Sequence, residues 1–219
     1  MRAGRVIFDL DGTLIDSAPL IAGIINEMLQ SRGAARRVTP LDAHPVLTQG
    51  GDRLVETLMG AEAAGLDQDV SEFRRRYRER PTPPDCLYDG VREGLTRLRS
   101  AGWRMAVCSN KPQPLCEKVL NDLGIGQLFD GIAGSVPGVP LKPAPPIGLA
   151  ALDALGHGSE RVHYIGDSEV DRRMAATLNL PFVHVTYGYA EADMLPGDYP
   201  SFATFREAID LILLGERAA

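Results

Sequence analysis

Short apolar runs alternate with longer amphipathic stretches along most of the chain. Arg5-Val6-Ile7-Phe8-Asp9-Leu10 is nearly continuous in its apolar character and ends in acidic residues and Gly12. That pattern predicts a strand buried on both faces that runs into a loop. Similar runs lie at Met105-Ala106-Val107-Cys108, Val162-His163-Tyr164-Ile165 and Phe182-Val183-His184-Val185. Between them the period is helical, over Gly90 to Ala101, Pro114 to Leu123, Pro146 to Leu155 and Val170 to Leu178. Strands alternating with helices predict an α/β fold, a Rossmann-like parallel sheet core covered by helices on both faces.

One segment breaks the alternation. From about Pro19 to Tyr77 the apolar positions recur at helical spacing, as in Leu20, Ile21, Ile24, Ile25 and Met28, with no strand among them. Pro81-Thr82-Pro83-Pro84 closes the segment, and proline stiffens a linker. The expected organisation is a core of residues 1–17 and 85–219 with an inserted α-helical cap domain, 18–84. Asp16 to Pro19 and Pro81 to Pro84 would form the hinge. The Pro-rich piece from Pro137 to Pro146 is too short for a domain and reads as a loop.

The 219 residues carry 23 basic and 29 acidic side chains, a net charge of −6, which gives no electrostatic footing for nucleic acid. With 44% hydrophobic residues the chain is too apolar for disorder. No apolar run approaches the roughly 18 residues of a membrane span. Asp9, Asp11 and Asp16 argue against a signal peptide. Three cysteines, Cys86, Cys108 and Cys116, cannot all pair with one another. The expectation is therefore a reduced, cytoplasmic protein, monomer or homodimer, with no membrane partner.

In an open parallel sheet, ligands bind beyond the carboxyl ends of the strands. The polar residues expected there are Asp9 and Asp11, Ser109-Asn110-Lys111, Lys142 in the Pro-rich loop, and Asp167 and Asp171. Four carboxylates at one sheet edge repel unless a cation lies among them, and an all-oxygen ligand set suits Mg²⁺. Asp9 and Asp11, two positions apart, can face one pocket, one as nucleophile and the other handling the proton of the leaving group. Gly12 and Thr13 allow a tight turn whose N–H groups can meet phosphate oxygens. Ser109 can donate to a phosphoryl group, and Lys142 can offset its developing charge. The partner such a site calls for is a small phosphorylated metabolite.

Asp9-Leu10-Asp11-Gly12-Thr13-Leu14-Ile15-Asp16-Ser17 is similar to the first motif of the haloacid-dehalogenase superfamily. Ser109-Asn110-Lys111-Pro112 resembles its second motif, Lys142-Pro143 its third, and Gly166-Asp167-Ser168 with Asp171 its fourth. The resemblance covers essentially the whole chain. It implies Asp9 as nucleophile and metal ligand, and Asp11 as general acid and base that also ligates through its backbone carbonyl. It further implies Ser109 and Lys142 on the phosphoryl group, Gly12, Thr13 and Asn110 beside the substrate, Asp167 as the third metal ligand, and Asp171 as an alternative ligand or a residue behind it. Gln49 to Val55 and Val185 to Tyr189 narrow the resemblance to phosphoglycolate phosphatases. Within that reading Arg53 is a candidate for gripping a substrate carboxylate.

Two departures from the pattern stand out. Gly134-Ser135-Val136 lacks an acidic residue, and Asn179 stands where a helix would end in Gly, although Asn also tolerates the left-handed conformation. The competing readings are a phosphosugar phosphatase or mutase of the same superfamily and, outside enzymes, a phospho-receiver module. The mutase would not release inorganic phosphate, and the receiver would be about half as long. Simpler roles also exist for single residues. Ser109 and Asn110 could cap the following helix while binding phosphate, and the run Arg74 to Arg78 reads as a solvated helix face.

Overall fold

The computed structural model describes residues 4–158, 161–189, 194 and 197–215. The ends assigned to the core, 1–3 and 216–219, lie outside the described residues. Six parallel strands form one sheet: β1 (Arg5–Phe8), β2 (Arg104–Pro112), β3 (Gly131–Ser135), β4 (Val162–Gly166), β5 (Phe182–Val185) and β6 (Ser201–Phe202), in the order β3-β2-β1-β4-β5-β6. The chain order reverses between β1 and β4, which makes their carboxyl ends the ligand-binding crevice of such a sheet.

Each strand sorts its side chains by the two-residue period of the pleat. Val6, Phe8, Met105, Val107, Ile165 and Val183 join one apolar cluster, whereas Ile7, Ala106, Cys108, Tyr164 and Phe182 join the other. On the first side lie α5 (Val91–Ser100), α6 (Gln113–Asp122) and α9 (Phe205–Gly215). The second is covered by α7 (Pro145–Leu155) and α8 (Glu169–Thr177). Burial on both faces is why the strands lack polar alternation.

Four more helices lie between β1 and α5: α1 (Ala18–Ser31), α2 (Pro40–Leu47), α3 (Gly51–Met59) and α4 (Leu66–Glu79). They pack on one another through Ile21, Ile25, Leu54, Val55, Leu58, Phe73 and other buried side chains. Thr39 starts α2 with a reciprocal capping box to Asp42. The two crossings between these helices and the sheet are tied together: Asp16 N–H donates to Cys86 O (2.7 Å) and Tyr88 N–H to Leu14 O (3.1 Å). The leading N–H groups of α1 are met from a distance. The Ser17 side chain gives no cap, but the phenol oxygen of Tyr189 accepts from Ser17 N–H at 2.7 Å and Ala18 N–H at 3.2 Å. That phenol in turn donates to Asp16 Oδ1 at 2.7 Å.

The structure adds elements that the sequence pattern does not announce. β3 is Gly131-Ile132-Ala133-Gly134-Ser135, and its two glycines suppress any strand signal. β6 has only two residues, and α9 follows it. β2 continues to Pro112, so Ser109, Asn110 and Lys111 lie on the strand itself, with an irregular register after Cys108. Helix α6 accordingly starts at Gln113 behind Pro112 with no side-chain cap, so Ser109 and Asn110 do not cap it. Asn179 has φ 55°, in the left-handed region that asparagine tolerates.

Candidate active site

Parallel pairing fixes the heart of the site. Phe8 pairs with Ile165, and Asp9 N–H donates to Ile165 O at 2.9 Å, so the residues just past β1 and β4 emerge side by side. Asp9, Asp167 and Asp171 each offer a carboxylate oxygen within 4.8 Å of the others, and all three are buried. Helix α8 delivers Asp171. Ser168 caps that helix, and Asp171 Oδ2 accepts from Ser168 N–H (3.2 Å) and Oγ–H (2.6 Å).

Lys142 reaches this cluster from the Pro-rich loop. Its Nζ donates to Asp9 Oδ1 and Asp171 Oδ1, both at 2.7 Å, and to Cys108 O at 2.9 Å. Burial alone would strip its proton, but the charges of Asp171 and Asp9 outweigh burial and raise its pKa. Asn110 holds the loop in place, accepting from Lys142 N–H at 2.7 Å and donating to Lys142 O at 3.3 Å. The same amide donates to Thr48 O at 3.1 Å, just past α2, so it also ties the sheet to the inserted helices.

Asp11 stands apart from the triad. Lys111 Nζ donates to both of its oxygens, at 2.8 and 2.9 Å. Gly12 has φ +89°, and a side chain there would place Cβ 2.3 Å from Asp167 Oδ2. Only glycine lets the turn lie against that carboxylate. Thr13 Oγ1 donates to Asp167 Oδ1 at 3.1 Å, and Tyr189 N–H donates to Asp167 Oδ2 at 2.7 Å.

A cavity of about 270 Å³ opens over these groups, lined by Asp9, Asp11, Ser109, Asn110, Lys111 and Lys142 from the core and by Leu47 and Thr48 from the inserted helices. Of the residues expected from sequence, Asp9, Asp11, Ser109, Asn110 and Lys142 thus converge on one space. Asp167 and Asp171 converge on Asp9. Gly12 and Thr13 support Asp167 from behind and do not line the cavity.

Arg53 is not brought there. It lies on the outer side of α3, with its side chain 61% exposed and paired to Glu56 at 2.8 Å, because Leu54, Val55, Leu58 and Met59 take the inner face. The arginines of α4 likewise pair on the surface, Arg74 with Asp52, Arg75 with Glu79 and Arg76 with Glu72. Lys111, Tyr164, Tyr187 and Tyr189 are parts of the site that the sequence reading gives no role. Tyr164 Oη donates to Asp171 Oδ1 (3.3 Å), and Tyr187 Oη donates to Thr13 O (2.7 Å). Lys111 had a usable signal, since it follows Ser109 by two positions, and Tyr187 and Tyr189 lie in the Val185 to Tyr189 stretch that carries the resemblance, whereas Tyr164 had none.

The donor set fits a metal ion. Lys111 balances Asp11 and Lys142 balances one of the other three carboxylates, which leaves two negative charges in a buried space. A divalent cation supplies that charge, and carboxylate oxygens suit a hard one. Asp171 has both oxygens engaged by Lys142, Tyr164 and Ser168, whereas Asp9 Oδ2 accepts no hydrogen bond from the described residues.

The crowding has a measurable consequence. Burial, then the Asp171 charge, raises the Asp9 pKa from 3.8 to about 7, and the same causes raise that of Asp167 well above the usual range. A raised carboxyl pKa means that the folded, metal-free protein holds a proton that the unfolded chain has released. Between 3.8 and about 7 rising pH therefore weakens the metal-free fold. A cation must displace that proton, so divalent affinity should rise with pH through neutrality. Calorimetric titrations at several pH values and in buffers of different ionisation enthalpy test this. Equal affinity on both sides of neutrality would contradict it.

Comparison with known proteins agrees with the site. Residues 6–185 match the haloacid dehalogenase-like hydrolase family. The chain belongs to that family. It is 35% identical to a phosphoglycolate phosphatase of Cereibacter sphaeroides over 85% of this chain and 87% of the relative. A phosphoglycolate phosphatase of Colwellia psychrerythraea is 32% identical over 93% of this chain and 94% of its own. Among solved structures, a predicted phosphoglycolate phosphatase from Haemophilus somnus 129pt superposes with a TM-score of 0.79 and 26% identity, covering 98% of this chain and 99% of the other. This hydrolase is thus similar to phosphoglycolate phosphatases along most of its length. No helix among the described residues is long and apolar enough to cross a membrane.

Proposed function

We propose that this hydrolase is a Mg²⁺-dependent phosphatase for a small phosphomonoester, with 2-phosphoglycolate as the preferred substrate. The observation that carries the reading is the pair Asp9 and Asp11 in one cavity, each on its own lysine, beneath residues of the inserted helices. Asp9 attacks phosphorus and forms an aspartyl phosphate while Asp11 gives a proton to the leaving oxygen. Asp11 then takes a proton from the water that cleaves the acyl phosphate. Ser109 and Lys142 hold the phosphoryl oxygens.

Asp9, Asp167 and the Asp11 backbone carbonyl would hold Mg²⁺, with Asp171 behind them orienting Lys142. When bound, the ion offsets phosphoryl and carboxylate charge. The inserted helices, read as a cap domain of residues 18–84, roof the cavity and keep bulk water from the acyl phosphate. The enzymatic reading also gives the buried charges a reason to be there, since unpaired carboxylates are costly in a core.

The test is release of inorganic phosphate with Mg²⁺ across 2-phosphoglycolate, sugar monophosphates and pyrophosphate. The expected result is a kcat/KM for 2-phosphoglycolate at least about tenfold above the others, abolished by chelation. A flat, weak profile would remove the substrate assignment, and phosphate retained for transfer between sugar positions would replace the phosphatase with a mutase.

A further inference from the structure

A second cavity lies beside the first, between the sheet and the inserted helices, and has about 380 Å³ of empty space that is partly open to solvent. The two share Asp11, Leu47, Asn110 and Lys111. Most of its remaining wall is apolar, from Ile21, Leu54, Phe73 and Leu115. Two polar groups interrupt that wall and have no part in holding the phosphoryl group. One is the Lys111 ammonium, whose side chain is only 6% exposed and which stands 5.0 Å from the centroid of the Tyr77 ring. The other belongs to Tyr77 on α4, a lining residue 1% exposed, whose buried hydroxyl has no hydrogen-bond partner among the described residues.

A buried hydroxyl without a partner is unfavourable for the fold alone and becomes favourable when a ligand accepts from it. Resting on the phosphatase reading above, we infer that this cavity is the leaving-group subsite, where Lys111 and Tyr77 together bind one carboxylate of the substrate. Both groups can act as donors and a carboxylate only accepts, so the pairing is complementary. A second phosphate would add more negative charge beside the Asp11–Lys111 pair than a carboxylate does. A sugar hydroxyl would bring donors into a wall that is chiefly hydrocarbon.

The position of Asp11 narrows the class further. Its oxygens lie 2.8 and 2.9 Å from Lys111 Nζ, and the same carboxyl serves the leaving oxygen. The carboxylate that reaches Lys111 must therefore stand within a few bonds of the ester oxygen. Phosphate esters of 2-hydroxy acids meet that condition, whereas esters with a distant acid group do not. Arg53, solvated on the outer side of α3, takes no part in this subsite.

The experiment compares kcat/KM for 2-phosphoglycolate with that for 2-hydroxyethyl phosphate, which replaces the carboxylate by a hydroxymethyl group of similar size. The wild type, Tyr77→Phe and Lys111→Met are measured side by side. The wild type should favour 2-phosphoglycolate, and each variant should shrink that preference by about tenfold or more, chiefly through KM. Lys111→Met should also slow both substrates, because it frees Asp11, and the neutral ester corrects for that. Tyr77→Phe should keep or raise the melting temperature, because it deletes an unpaired buried hydroxyl, and a purely structural tyrosine would not couple that to lost selectivity. A preference unchanged in both variants overturns the subsite while leaving the phosphatase reading intact. A wild type that releases phosphate from neither ester overturns the phosphatase reading itself.

Discussion

Asp9→Asn should fold normally and release phosphate at least about 10⁴-fold more slowly than the wild type. The substitution keeps the size and shape of the side chain and removes only its nucleophilic charge. Asp9 lies in a buried cluster with Asp167 and Asp171, so the neutral amide also relieves repulsion. The melting temperature of the metal-free variant should therefore match or exceed that of the wild type, even as turnover disappears. Circular dichroism melts and a phosphate-release assay on the same preparation check both halves. Turnover near the wild-type rate would end the role of Asp9 as nucleophile, and a collapsed fold would show that the carboxylate serves structure first.

Lys142→Met should have the opposite profile, with loss of stability accompanying loss of activity. Its ammonium donates to Asp9, Asp171 and the Cys108 carbonyl, and its side chain is only 3% exposed. Removing one partner of a buried ion pair typically costs about 3–5 kcal/mol, because the other charges stay behind in a poor solvent. Here three carboxylates would face one another with no cation. Denaturant unfolding should show that loss most fully without metal, and added divalent cation should restore part of it by neutralising the same oxygens. Unchanged stability in chelator above pH 7, where Asp9 is ionised, would contradict Lys142 as the counter-charge of the triad.

The contrast between these two variants follows from what each group does for the cluster. Asp9 adds to its negative charge, and Lys142 subtracts from it. The two side chains are hydrogen-bonded to each other at 2.7 Å, so a double variant is not expected to behave additively. Asp9→Asn should soften the damage of Lys142→Met.

Much of the architecture could be read before any coordinates because burial on both faces makes the central strands apolar throughout. β1, β4 and β5 announce themselves in that way, and their order of motifs places Asp9 and Asp167 at neighbouring strand ends. β3 escapes because Gly131 and Gly134 carry no β signal, and its place at the sheet edge asks little of its side chains. The stripe Phe205, Ala208, Ile209 and Ile212 has helical spacing and was open to reading, yet sequence analysis assigns no element there.

Within the site, residues whose place follows from type and position, such as Asp9, Asp11 and Lys142, were legible. Residues whose role follows from meeting a distant partner were not. Tyr77 acquires its place only when its ring on α4 meets the Lys111 ammonium from β2, and Tyr164 only when α8 brings Asp171 to its hydroxyl. Arg53 shows the reverse case. Its charge and its glycine-rich neighbourhood suggest a ligand, but the phase of α3 turns it to solvent.

Tyr189 carries one last implication. Its amide seats Asp167, while its phenol receives the first amides of α1, and its ring lies 4.7 Å from that of His44 on α2, tilted by 45°. The inserted helices and the Asp167 carboxylate are therefore mounted on a single bracket rather than on separate struts. A torque applied to those helices is borne by the very loop that seats Asp167, so mechanical slack in one must register in the other.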